Sequence, residues 1–138
     1  MKQRLLRLEA LLALLLAWGL VFLLPLRLTR RLLGGMELPG AGASSATAPV
    51  LARARGACIR LERVAACLPW HSSCLVQAVA GILLLRRRGI AGATIRFGVR
   101  KTDMALEAHA WLLLNDAILL GGGEAGSFSP LADLSRRG

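Results

Sequence analysis

The longest apolar stretch of the chain lies near its start. Residues 10–26 carry no charge and are almost wholly hydrophobic, with basic residues on both sides. A bilayer-spanning helix needs roughly 20 such residues, so this stretch is at the short limit for a span. Three interpretations are open: a signal peptide, a membrane helix, or a helix buried against the domain or a partner. Arg30 and Arg31 precede any small-residue cleavage site, which argues against a signal peptide.

The next segment, residues 34–50, is rich in Gly, Ala, Ser and Pro, a composition typical of a flexible connection. We therefore divide the chain into an N-terminal hydrophobic helical segment (1–33), a linker (34–50) and a domain (51–138). The domain opens with the three- and four-residue spacing of an amphipathic helix, formed by Leu51, Ala54, Cys58, Leu61, Val64 and Ala65. Cys58 lies on the apolar face, so we expect a small buried side chain there.

A second helix follows Ser72 and Ser73, either of which can cap its N-terminus. Its apolar residues cover most sides, which predicts the central buried helix of the domain, and Gly89 after three arginines ends it. Beyond this helix, residues 93–99, 105–114 and 117–120 have the composition of strands. The pair Asn115-Asp116 predicts a tight hairpin turn. The fold class is therefore α+β, with a central helix packed on a small antiparallel sheet.

The chain has 18 Lys and Arg residues against 8 Asp and Glu residues, a net charge of +10. This charge favours an acidic partner or anionic lipid. We expect no nucleic-acid partner, because the basic residues alternate with Leu and Ala and the chain has no Tyr to stack on bases. The 3 cysteines lack C-x-x-C spacing, so neither a disulfide framework nor a zinc site is indicated. We expect no metal and no cofactor.

Two residues have the properties of a cysteine nucleophile site. Cys74 opens the central helix, where unpaired N–H groups and the positive end of the helix dipole stabilise a thiolate. The same N–H groups could stabilise an oxyanion. His109, on the following strand, can serve as the general base. A lone histidine on a strand is more often structural, so its assignment depends on the pairing with the thiol. Cys67 is expected to have no function.

Four segments resemble, in order and spacing, the lasso peptide biosynthesis B proteins of the transglutaminase-like, papain-fold superfamily. They are residues Ser73 to Ala78, Leu84 to Ile90, Phe97 to Arg100 and Glu107 to Trp111. The resemblance covers the chain from about residue 50 to the end. The Leu-rich N-terminal segment is also similar to the helical extension of the stand-alone peptidase form. A transglutaminase/papain-like core preceded by a hydrophobic helix is the fold implied.

The resemblance also implies an activity and partners. In that family the cysteine is the nucleophile and the histidine its base, which would be Cys74 and His109 here. Together they hydrolyse the bond between leader and core in a ribosomally made precursor peptide. A lasso cyclase of the asparagine-synthetase type is a further implied partner. No winged-helix-sized segment precedes residue 50, so we expect a separate leader-recognition protein.

The third member of the site is open. The aspartate that fused family members carry twelve positions after the histidine is Gly121 here. A two-residue turn would place His109 opposite Gly122, which makes Glu124 the nearest carboxylate on that face. Asp116, at the tip of the hairpin, is the alternative. A backbone carbonyl or a glutamine, Gln77, could hold the imidazole instead, which would leave a Cys-His dyad.

Two other functions use the same residues differently. A transglutaminase or amidase would use Cys74 and His109 on a Gln or Asn side chain. A non-catalytic membrane-associated adaptor would leave Cys74 as a buried helix thiol. We expect a cytoplasmic protein, with residues 10–26 as the segment that can contact a membrane surface.

Overall fold

The computed structural model describes residues 1–25, 27–28, 31, 35–37, 46–70, 73–123 and 125–135. The helices in these ranges are α1 (Lys2–Phe22), α2 (Ala48–Ala66) and α3 (Cys74–Arg87), with a 3-10 turn at Ala125–Ser127. The strands are β1 (Gly35–Glu37), β2 (Thr94–Lys101), β3 (Leu106–Leu114), β4 (Ala117–Leu120) and β5 (Ser129–Ser135). The predicted α+β class is confirmed.

The strands form one antiparallel sheet in the order β1-β5-β2-β3-β4. The three predicted strands are β2, β3 and β4. Strand β5, which was not predicted, pairs with β2 and carries an ion pair to it. Asp133 of β5 accepts two hydrogen bonds from Arg96, at 2.8 and 3.0 Å, and this bonding raises the pKa of the guanidinium. The buried carboxylate of β5 is therefore paired with a cation of the neighbouring strand.

Helix α3 packs on one face of the sheet, as predicted for the central helix. Its residues from Ala78 to Ile82 are all buried. At Gly81 the helix backbone approaches the sheet so closely that a Cβ atom would lie 2.6 Å from a methyl carbon of Leu112 and 2.7 Å from one of Leu120. Gly89, at φ 71°, follows the end of the helix. The glycine at position 81 thus sets the distance between helix and sheet.

Helix α1 packs across α3 and α2 through small side chains. Its buried residues are Ala10, Ala13, Leu14 and Ala17. Glu9 adds two ion pairs to the end of α3, at 3.2 Å to Arg87 and 2.7 Å to Arg88. By length and composition α1 is apolar enough to cross a membrane, and 22% of its most apolar 18-residue stretch is buried in the protein. The helix is therefore part of the core on one side only.

The segment expected to be a linker contains regular structure at both ends. Residues 35–37 form β1, which pairs with β5, and α2 already begins at Ala48. The Asn115 side chain of the hairpin turn accepts a 2.8 Å hydrogen bond from the Ala46 N–H, which fixes the chain just before α2. Residues 38–45 lie outside the described ranges. The division of the chain into segment, linker and domain stays a prediction.

Candidate active site

Ser73 caps the N-terminus of α3. Its Oγ accepts a 3.3 Å hydrogen bond from the Val76 N–H, and its carbonyl accepts the first helical bond, 3.1 Å from the Gln77 N–H. Ser73 is thus one of the two caps predicted; Ser72 and His71 lie outside the described residues. Because the first N–H groups of a helix have no intrahelical partner, those of Cys74 and Leu75 are not used by the helix itself. The half-buried Cys74 thiol stands at this positive end.

The other two thiols have different surroundings. Cys58 is fully buried in α2. Burial raises the pKa of Cys58 to about 12; nearby Glu62 raises it further, and Arg88 opposes the shift. The Cys58 thiol therefore stays protonated at neutral pH, in keeping with the buried role expected for it. Cys67, at the end of α2, is exposed.

His109 lies on β3 between two aromatic rings. Its ring centroid is 5.7 Å from that of Trp111 and 5.1 Å from that of Phe128. Its Nε2 is 2.9 Å from the carbonyl oxygen of Gly121. A carbonyl oxygen only accepts, so Nε2 carries the hydrogen and Nδ1 of the neutral ring is the basic nitrogen. A backbone carbonyl, one of the alternatives left open by the sequence, thus holds the imidazole.

The hairpin register explains why Gly121 occupies this position. Leu114 pairs with Ala117 as predicted, and the turn residues have the positive φ values of 53° and 59° that this tight turn requires. The register then shifts, so that Leu112 pairs with Leu120. One extra residue in β4 forms a bulge. Counting without this bulge placed His109 opposite Gly122, which is wrong.

Neither carboxylate proposed from the sequence is seen beside His109. Asp116 is exposed at the hairpin tip, and Glu124 lies outside the described residues. In the part of the chain that the structure covers, no ion pair or hydrogen bond joins a carboxylate to His109. Gln77 lies one turn into α3. The third member of the site therefore stays a prediction for Glu124 and Asp116.

The thiol and the imidazole belong to different apolar clusters. Cys74 packs against the core between helices and sheet, which includes Ala110. His109 contacts Trp111 and Phe128, which belong to a second cluster. Among the described residues no hydrogen bond joins the Cys74 thiol to the His109 ring. Each residue lies on its predicted element. Side chains alternate between the two faces of a strand, so Ala110 faces α3 whereas His109 and Trp111 face the other side of the sheet.

A group of residues beside His109 was not recognised from the sequence. Arg100 of β2 lies over the Phe128 ring, 4.5 Å from its centroid. It also donates to Glu107 at 2.9 Å and to the Ser127 hydroxyl at 2.8 Å. These contacts hold the 3-10 turn against the sheet face that carries His109. Arg100 and Glu107 are directly opposite in the β2–β3 register, so a strand-pairing analysis could have found them.

A cavity of about 360 Å³ adjoins the first turn of α3. Its lining comprises Glu62, Ala65, Ala66, Leu68, Pro69, Trp70 and Gln77. Partial burial raises the pKa of Glu62. The cavity has room for part of a substrate beside the first turn of α3, although Cys74 itself does not line it.

Comparison with known families decides the broader assignment. The profile of the Transglutaminase-like superfamily matches residues 20–133, a range that includes Cys74, His109 and Gly121. The chain belongs to the transglutaminase-like superfamily. This superfamily includes cysteine peptidases and acyltransferases. No curated protein and no solved structure gives a significant match. The superfamily implied by the sequence resemblance is thus confirmed.

Proposed function

We propose that this transglutaminase-like protein is a cysteine peptidase that removes the leader peptide from a ribosomally synthesised lasso peptide precursor. The observation that carries the proposal is the half-buried Cys74 thiol at the Ser73-capped start of the central helix. The sequence resemblance of the four segments around Cys74 and His109 supports the choice of peptide leader as substrate. The superfamily match supports cysteine-dependent chemistry.

In the first step, Cys74 Sγ attacks the carbonyl carbon of the bond between leader and core. The helix dipole and the free N–H groups at the start of α3 favour the thiolate that makes this attack. The same groups, on Cys74 and Leu75, lie where an oxyanion would develop next to Sγ. The tetrahedral intermediate then collapses to a thioester, and the amine of the core peptide leaves.

His109 moves the protons in this scheme. Gly121 fixes the Nε2–H, so Nδ1 accepts the proton of the Cys74 thiol and then donates it to the departing amine. Water attacks the thioester in the second half of the reaction, with Nδ1 again as base. The scheme requires Nδ1 to approach Sγ in the substrate complex, so β3 and the start of α3 would have to rearrange to bring His109 to the thiol. It needs no carboxylate, and it is a dyad oriented by a backbone carbonyl.

The proposed partners are the precursor peptide, a separate leader-recognition protein and a lasso cyclase of the asparagine-synthetase type. A leader-recognition protein would raise the effective concentration of the precursor at the thiol without changing the chemistry. We therefore expect the purified chain alone to process precursor slowly and the addition of this protein to accelerate it. Equal rates with and without it would contradict this part of the proposal.

The test uses mass spectrometry of the precursor after incubation with each variant and the leader-recognition protein. Cys74→Ala should abolish release of the leader. Cys67→Ala is the matched control, because Cys67 is exposed at a helix end and has no role in the scheme, and it should cleave at the unchanged rate. Cleavage by a folded Cys74→Ala variant would refute the assignment.

The superfamily match also fits acyl transfer, because transfer to an amine passes through the same thioester. The products separate the two reactions by mass. Hydrolysis of the backbone gives leader and core as two species, whereas attack on a Gln side chain leaves the precursor intact and releases ammonia. An intact precursor with such a mass change would replace the peptidase proposal with the transferase.

A further inference from the structure

One side of α1 is an exposed apolar surface. With 3.6 residues per turn its members fall within one arc of the helix circumference, and the last of them is the residue that caps the helix. They are Leu5, Leu8, Leu12, Leu15, Leu16, Phe22 and Leu23, each between 44% and 72% exposed. We call this set the outer face of α1. Soluble monomers rarely expose contiguous apolar patches above a few hundred Å², and larger ones mark interaction sites.

The outer face has only positive charges at its ends. Exposed Lys2, Arg4 and Arg7 lie at the N-terminal end, and exposed Arg27 and Arg31 follow the C-terminal end. The carboxylate of this helix, on Glu9, points instead to α3, where it pairs with two arginines. A ligand that matches this face must therefore combine an apolar layer with negative charge.

A cationic groove adjoins the outer face. It lies between α1 and α2, has a volume of about 650 Å³, and includes Leu8 of the outer face. Four arginines line it: Arg4 and Arg7 from α1, and Arg60 and Arg63 from α2. Within the described ranges no carboxylate pairs with these four side chains. We call it the arginine groove. Its chemistry suits phosphate groups close to an apolar layer.

We propose that α1 binds in the plane of an anionic membrane surface. The outer face enters the boundary between headgroups and acyl chains, and the arginine groove binds lipid phosphates. Amphipathic helices with basic flanks bind membranes in this way, with a strength set by buried apolar area and by attraction to anionic lipid. No residue of the Cys74 site takes part, so this inference does not depend on the peptidase proposal.

The packing of α1 argues against a spanning helix. Crossing the bilayer would pull the small residues of its inner side, such as Ala10 and Ala17, away from α3. It would also separate Glu9 from Arg88, whose side chain is only 23% exposed and would lose its ion pair. An orientation parallel to the surface keeps these contacts and still buries the outer face. The structure of the protein thus selects the in-plane arrangement.

A second copy of the chain would fit the outer face of α1 less well than anionic lipid, because both copies carry positive charge there. Parallel pairing of two outer faces brings Lys2 and Arg4 of both copies together. Antiparallel pairing brings the same residues against Arg27 and Arg31 of the other copy. Both arrangements place like charges side by side, which is unfavourable. Anionic lipid instead neutralises them.

The first experiment is vesicle flotation with the full chain at low salt. The protein should float with vesicles of phosphatidylcholine and phosphatidylglycerol, and less with phosphatidylcholine alone. The double variant Leu12→Ser/Leu15→Ser should lower the bound fraction about tenfold. The matched control is Leu131→Ser, at a 60% exposed position of β5, which should bind like the parent.

Other results of the flotation experiment would support or overturn the membrane proposal. Arg60→Gln/Arg63→Gln should reduce binding to anionic vesicles and leave the weaker binding to neutral ones unchanged. Equal flotation of the parent and the Leu12/Leu15 variant would overturn the proposal. So would a dimer, measured by sedimentation without lipid, that the Leu12/Leu15 variant converts to monomer, because it would assign the outer face to a second copy.

A topology experiment separates the in-plane helix from a spanning one. The lysines of the chain are Lys2, at the start of α1, and Lys101, at the end of β2. A membrane-impermeant amine reagent added outside sealed vesicles should modify both lysines to the same extent, as mass spectrometry of the peptides would show. Protection of Lys2 alone would mean that α1 crosses the bilayer, and the in-plane proposal would be wrong.

Discussion

Gly121 contributes to the site through its backbone. Its carbonyl holds His109, its φ is 76°, and a Cβ atom there would lie 3.1 Å from Trp111 Cβ and 3.3 Å from His109 Nε2. Gly121→Ala should therefore displace the imidazole and lower kcat more than it raises KM. It should also cost about 1 kcal/mol or more in unfolding free energy, because alanine disfavours positive φ.

The matched control for that change is Gly123→Ala, where a Cβ meets nothing within 4 Å. This variant should keep its activity. The split between kcat and KM separates a positioning role from mere destabilisation, because a displaced imidazole slows the chemical step without weakening substrate binding. A folded Gly121→Ala enzyme with normal kcat would show that the carbonyl does not orient His109.

Thiol reactivity gives a second prediction for single residues. The pKa of about 12 for Cys58 is above its ordinary 9.0, so the buried thiol remains protonated up to alkaline pH in the folded protein. The unfolded thiol ionises first, so this group lowers the stability of the fold only as pH rises above about 9. At pH 8 iodoacetamide should modify Cys67 and Cys74 but not Cys58, as measured by peptide mass spectrometry. Modification of all three in native protein would contradict the buried packing of α2.

For single residues, the sequence predicted the properties of a side chain better than it predicted which atoms that side chain contacts. Cys74 at a helix start and a buried Cys58 follow from apolar periodicity and capping residues. The orientation of His109 did not follow, because it depends on a bulge that shifts the β3–β4 register by one residue. No local signal in the chain marks that extra residue, and a shift of one position changes which atoms meet.

Among the elements, α3 provides a direct test of helix–sheet packing. A Cβ atom at Gly81 would lie within 2.7 Å of methyl carbons of both Leu112 and Leu120, so Gly81→Ala forces these buried side chains or the helix to shift. We expect a loss of about 1 to 3 kcal/mol in unfolding free energy, typical of an overpacked core. Chemical denaturation followed by circular dichroism would measure it.

The control for this variant is another helical glycine. Gly56 in α2 is exposed, and a Cβ there meets nothing within 4 Å. Gly56→Ala should stabilise the protein by about 0.5 to 1 kcal/mol, since alanine is the better helix former. If both substitutions had the same sign, the close approach of α3 to the sheet would be in doubt.

The elements differ in how far the sequence predicted them. Helices α2 and α3 and strands β2 to β4 carry regular apolar patterns or a recognisable turn. Strand β5 contains Pro130 and Asp133 and lacks such a pattern. It is stabilised by its pairing with β2 and β1 and by the Arg96 ion pair. Those contacts are distant in sequence, so local composition could not reveal them.

For the whole molecule, α1 is part of the packed body on one side and exposed on the other. A buried helix and a membrane helix were two of the alternatives predicted for this segment. Each describes one side of α1 in the structure: Ala10, Ala13, Leu14 and Ala17 are buried, while the outer face is exposed. Composition alone could not show this, because leucines occur on both sides of the helix.

The ion pairs of Glu9 fix one end of α3, and Cys74 lies at the other end. A helix of 14 residues is about 20 Å long at 1.5 Å per residue, so the thiol and the Arg87–Arg88 anchor point are separated by roughly that distance. Because Glu9 joins α1 to one end of α3, a surface that binds α1 also fixes the distance and direction of Cys74 from that surface. A peptide substrate must therefore approach Cys74 from a fixed direction. A precursor peptide bound at the Arg87–Arg88 end of α3 would need an extended segment of about six residues to reach Cys74, about 20 Å away.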